Sequence, residues 1–149
     1  MCMFSSILIT AAFIDARHMY IPDGIHILIL ILCCISLAAG SGPAIINRLG
    51  GSLLAGGFLA LVNLLSRGGV GWGDVKLFAA SGLLIGAAPA MTALLMGYVA
   101  AGLWYAVPLV RGRVGRKTQI PMAPFFAVSL MVCGLWFRQL FLWYLGFFR

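Results

Sequence analysis

Gly71-Trp72-Gly73-Asp74-Val75-Lys76-Leu77 sets a carboxylate and an amine at the junction between a glycine-rich break and an apolar segment. An ionisable side chain kept beside hydrocarbon is expensive, so it is a functional candidate by default. The chain is sparing with such groups. Its 149 residues hold 3 acidic side chains, Asp15, Asp23 and Asp74, none of them glutamate, and all three stand at the ends of apolar segments.

Working outward, 63% of the residues are hydrophobic and only 9% charged, with a mean hydropathy of +1.10. That leaves too little polar surface to solvate a compact soluble domain. The chain reads as all-α: a polytopic membrane protein, one bundle of about six transmembrane helices forming a single domain over residues 1–149. Breaks at 20–24, 40–43, 66–73, 88–89 and 111–124 set the helices at 1–19, 25–39, 46–65, 74–88, 90–110 and 124–147. The run 1–14 lacks a basic flank and is expected to be a retained helix rather than a signal peptide.

Arg17, Arg67, Lys76, Arg111, Arg113, Arg116 and Lys117 fall on one side of these segments, and Arg48, Arg138 and Arg149 on the other. The positive-inside rule puts the first side in the cytoplasm. It also accounts for the net charge of +7 without nucleic acid. Asp15, Asp23 and Asp74 then share the cytoplasmic end. At a rise of about 1.5 Å per residue, Asp15 lies about 21 Å from the chain start, short of a hydrocarbon core about 30 Å thick. The segment 74–88 is similarly short, so a water-filled notch between the first and fourth helices is expected.

Two carboxylates brought together cannot both ionise cheaply and share a proton, one acting as general base and the other as general acid. Asp15 and Asp74 are the candidate catalytic pair for hydrolysis of an amide without a covalent intermediate. Asp74 opens a helix, where the dipole favours negative charge, whereas Asp15 closes one, which favours a resting charge on Asp74. Gly68, Gly69, Gly71 and Gly73 would let backbone approach an extended peptide. Pro22, Asp23 and Lys76 complete the candidate supporting set. Asp23, in Pro22-Asp23-Gly24, reads first as a turn residue or helix cap, and otherwise as an attractor of basic peptide. Lys76 reads as a lysine snorkelling to the interface.

The remaining polar residues point to simpler roles. Asn63 is expected to bond between helices. His18 and His26 could join Asp15 at a metal, but no His-Glu-x-x-His pattern is present, so they read as interfacial polar residues, and neither metal nor organic cofactor is expected. Cys2, Cys33, Cys34 and Cys133 lack Cys-x-x-Cys spacing and read as small buried hydrophobes. The same two carboxylates would also serve a small proton-coupled carrier or a structural membrane subunit, a reading that stays open on the residues alone.

Three segments carry a resemblance. Asp15-Ala16-Arg17-His18-Met19-Tyr20-Ile21-Pro22-Asp23, Gly71-Trp72-Gly73-Asp74-Val75-Lys76-Leu77 and Ile120-Pro121-Met122-Ala123-Pro124-Phe125 resemble, in order and spacing, the motifs of the prepilin leader peptidases, intramembrane aspartic proteases with a Gly-x-Gly-Asp motif. The resemblance implies that Asp15 and Asp74 cut the basic leader from prepilins or pseudopilins at the cytoplasmic face of a bacterial inner membrane. It also implies cleavage after a glycine, just ahead of the substrate's apolar helix. Longer relatives carry an N-terminal portion with paired Cys-x-x-Cys motifs and methylate the new N-terminus. Here the sequence begins almost at the first catalytic helix, so methyltransferase activity is not expected. Met122-Ala123 stands where the family pattern has Phe-Gly.

Overall fold

Phe4, Leu8, Ala11 and Asp15 recur every three or four residues and are the buried side chains of the first helix, α1 (Cys2–His18), so its inward stripe ends in a carboxylate. The computed structural model describes residues 2–18, 20–67, 69–110 and 122–147. Among them all regular secondary structure is helical. After α1 come α2 (Asp23–Ala38), α3 (Ile45–Leu65), α4 (Trp72–Ile85), α5 (Ala87–Val110) and α6 (Ala123–Phe147). The six expected helices are all present. Met19, Gly68, the segment 111–121 with its four basic residues, Ile120 and Pro121, and Arg149 lie outside the described residues, as do the side chains of Arg138 and Tyr144.

α4 is the centre of the bundle. It packs against α2, α3, α5 and α6, and Val75, Leu77, Phe78, Ala80, Ser81, Leu84 and Ile85 are buried around its circumference. The approach of α3 is close enough to require glycine. A Cβ on Gly82 would lie 2.5 Å from the Gly51 carbonyl, and one on Gly56 would lie 2.7 Å from the Ala79 Cβ. Backbones meet in this way where small residues line a helix crossing. The turn Ser52–Gly56 of α3, beside this contact, is wound as a π-helix. α6 closes the bundle against α5 and α1.

One boundary differs from the expectation. The break falls at Gly86, not at Ala88–Pro89: Gly86 takes φ 90°, and Pro89 sits in the first turn of α5, where a missing N–H leaves no helical bond unmade. The Ala87 N–H at this start donates to Asn47 Oδ1 at 3.0 Å.

The contacts fix which helix ends lie together. The end of α1, the starts of α2, α4 and α6 and the end of α3 meet at one pole; the end of α2, the start of α3 and the end of α4 meet at the other. By length and composition Ile45–Leu65 and Ala87–Ala106 are sufficient to cross a membrane, while Asp23–Ala38 and Ala123–Phe137 are shorter apolar helices. Cys33 and Cys133 are buried as expected, but Cys2 and Cys34 face outward.

Candidate active site

At the first pole a cavity of about 270 Å³ is lined by Asp15, Asp23, Gly71, Gly73, Asp74 and Lys76, together with Tyr20, Ile21 and Trp72. Six of the seven candidate residues therefore face one space. The seventh, Pro22, is the N-cap of α2 in extended conformation, and its carbonyl accepts the Ile25 N–H at 3.0 Å.

Asp15 reaches the cavity because it continues the buried stripe of α1, and only 8% of it is exposed. Its Oδ2 accepts the backbone N–H of Ala123 at 3.2 Å. Ala123 is the first residue of α6, so Asp15 rests on the free amides of a helix start as well as closing its own helix. Asp74 lies in the first turn of α4, half-buried and within electrostatic reach of Asp15. Both carboxylates are thus at helix N-termini. Helix dipoles no longer separate the two, which removes the basis for assigning the resting charge to Asp74.

The turn between α1 and α2 is pressed against α4. A Cβ on Gly73 would meet the Ile21 Cβ at 3.2 Å, so the absence of a side chain lets that turn come close. Gly71 has more room, its added Cβ meeting Asp74 Oδ2 only at 3.4 Å. Asp23 is the first residue of α2, one position inside the cap residue Pro22. Its Oδ1 accepts Lys76 Nζ at 2.6 Å, which joins the two helix starts across the cavity mouth. Both partners are more than half exposed. This hydrogen bond, and then the charge behind it, holds the Asp23 carboxyl below its usual range. Lys76 is therefore paired rather than snorkelling alone.

Two polar residues brace the loop ahead of Asp74. Asn63, buried at the end of α3, donates through its amide nitrogen to the Val70 carbonyl at 2.7 Å and accepts the Trp72 Nε1–H at 3.3 Å. It ties α3 to the glycine loop, as its position near a helix end suggests. His26 Nε2 lies 3.1 Å from the Gly73 carbonyl; the sequence suggests an interfacial polar residue, or a metal ligand, and gives no sign of this contact. No cluster of metal-binding side chains forms among the described residues, and His18 is exposed. Behind the pair, Phe126 stands edge-on to Phe78 at 5.0 Å and to Tyr98 at 5.2 Å. The buried Tyr98 hydroxyl has no hydrogen-bond partner among the described residues.

An all-α bundle with two aspartates from different helices at one polar cavity defines the class of site. Residues 2–106 match the family model described as the Type IV leader peptidase family, and the chain belongs to that family. It is 30% identical over 140 residues to the prepilin leader peptidase/N-methyltransferase of Bacillus subtilis, an alignment covering 90% of this chain and 54% of the relative. To the proteins of the same name from Legionella pneumophila and Aeromonas hydrophila it is 28% and 29% identical, over 95% and 93% of this chain and 51% and 50% of theirs. The chain spans about half the length of the curated relatives it matches. No solved structure matches it.

Proposed function

We propose that the chain is an intramembrane aspartic endopeptidase that removes the basic leader from prepilin-like proteins, with Asp15 and Asp74 as its acid and base. The observation that carries this reading is the cavity shared by two carboxylates from separate helices. In it, one carboxylate takes a proton from water as that water attacks the scissile carbonyl. The other protonates the carbonyl oxygen, and the roles reverse as the tetrahedral intermediate collapses. Gly71 leaves room for substrate backbone, and Asp23 with Lys76 frames the entrance.

The single bundle crosses the bacterial inner membrane with this pole facing the cytoplasm. Outward-facing Ile9, Phe13, Ile27, Ile31, Leu53, Leu61, Leu95 and Val99 support a lipid-facing exterior. The basic residues Arg17, Arg67 and Lys76 near the carboxylate pole support the orientation. A proton carrier would have to open its site to both faces in turn. The far pole instead holds the buried cation Arg48, an electrostatic obstacle to cation passage that favours the peptidase.

The test is processing of a prepilin substrate in membranes carrying the chain, read as a gel shift. Asp15→Asn and Asp74→Asn, expressed at equal levels, should each lower the rate by about 10²- to 10⁴-fold. Near wild-type cleavage by either variant would sink the mechanism. Labelling of single cysteines from each side of the membrane tests the orientation.

A further inference from the structure

The inward face of α2 is apolar at Ile25, Ile29 and Cys33, and His26 is its polar member, with 6% of the residue exposed. A buried imidazole is unfavourable unless its nitrogens are bonded. Its Nε2 lies 3.1 Å from the Gly73 carbonyl. A carbonyl oxygen can only accept, so Nε2 must carry a proton. Nδ1 has no hydrogen-bond partner among the described residues. It faces Asp23 Oδ1 at 3.7 Å, the oxygen already held by Lys76.

Gly73 immediately precedes Asp74, and the peptide linking them is planar. Whatever holds the Gly73 oxygen therefore holds the plane in which the Asp74 nitrogen and Cα lie. Ile21 presses on the same residue where a Cβ would stand, so Gly73 is gripped by a packing contact and by a hydrogen bond. We propose that His26 is a positioning residue for Asp74, an Nε2–H donor that fixes the Gly73–Asp74 peptide plane and with it the reach of the carboxylate toward Asp15. The inference rests on the peptidase reading above. His26 touches neither carboxylate; it acts through the backbone.

The experiment compares His26→Phe, which keeps the ring bulk and loses the donor, with His26→Gln, which keeps a donor. Both are made in the full chain in membranes and assayed on a prepilin substrate. His26→Phe should lower kcat by about ten- to a hundredfold, the range set by loosened support and misplacement of a catalytic group. KM should stay within about twofold, since ground-state binding is untouched. His26→Gln should recover most of the loss. Cleavage by His26→Phe at the wild-type rate, or an equal fall in both variants, would overturn the proposal. If His26→Phe does not fold, nitrogen NMR of wild type decides: a proton on Nε2 is required, and an Nδ1–H tautomer refutes it. Should wild type cleave nothing, or Asp74→Asn still cleave, the peptidase reading itself has failed, and the tautomer measurement still stands independently.

Discussion

The two poles of the bundle both bury charge, and they treat it in opposite ways. At the far pole Arg48 is 2% exposed and spends its donors on neutral acceptors. Nε donates to the Pro43 carbonyl at 3.0 Å. Nη1 donates to the Leu83 carbonyl at 3.3 Å and to Cys33 Sγ at 3.6 Å. Nη2 donates to Ser36 Oγ at 2.8 Å and to the Ser41 carbonyl at 2.6 Å. That is five contacts for five N–H groups. Asp15 is nearly as buried, at 8%, but among the described residues it accepts a single hydrogen bond, from the Ala123 N–H. Asp74 faces a cavity beside it. Burial alone therefore does not mark a reactive charge; the unfilled hydrogen-bonding capacity does. A saturated guanidinium works as a staple, whereas an unsaturated carboxylate pair can still take up a water and a substrate carbonyl.

Exchange of the two phenotypes would break this comparison. The aspartate variants should abolish cleavage and leave the bundle folded, while Arg48→Ala should do the reverse. It orphans buried neutral acceptors at the ends of α2 and α4 and is expected to destabilise the protein by about 1–3 kcal/mol, the scale for leaving buried polar groups unsatisfied. Cleavage per folded molecule should persist. Arg48→Lys should rescue little, because an ammonium has three donors and lacks the planar fork. Denaturant unfolding in detergent, paired with processing normalised to folded protein, measures both. A stable but inactive Arg48→Ala would mean that the far pole takes part in chemistry.

Much of this division was readable beforehand at one pole and little of it at the other. The six helices follow from the spacing of apolar runs and breaks. Asp15 and Asp74 stand out because the chain has so few acids, and the two helices between them, an even number of crossings, bring the chain back to the same end. Arg48 read simply as a charge near the outer side, because its acceptors come from residues 33–43 and from Leu83, which only packing brings to it. His26 and the Ala123 N–H were hidden for the same reason. An imidazole three residues after Asp23 gives no hint that its partner is a carbonyl 47 positions away. The break at Gly86 was misplaced because Pro89 is the stronger local signal, although proline is compatible with a first helical turn.

Between the poles, the crossing of α3 and α4 transmits their separation. Gly82→Ala would drive a methyl group into the Gly51 backbone and should destabilise by about 1–3 kcal/mol, the usual range for overpacking. With the poles intact, kcat should change little in the fraction that folds. A smaller change sharpens the point about unfilled capacity. Tyr98→Phe removes a buried hydroxyl that lacks a partner among the described residues, and should raise stability by up to about 1 kcal/mol. A loss of stability would show that the hydroxyl is bonded after all.

The smallest effect belongs to the exposed pair at the cavity mouth. Asp23 stands ahead of the apolar segment 25–39, and its carboxyl is held below the ordinary value of 3.8, first by the Lys76 hydrogen bond and then by the Lys76 charge. The folded state thus binds that proton more weakly than the unfolded state does. Its contribution to stability is complete above the unfolded carboxyl's range and is lost as the pH falls through the lowered folded value. Lys76→Met removes the cause. Near neutral pH the variant should be slightly less stable than wild type, because the pair is solvent-screened. The difference should shrink as the solution is acidified below about pH 4. Paired unfolding curves across that range check it, and a gap that widened on acidification would show that Lys76 acts on a different group than Asp23.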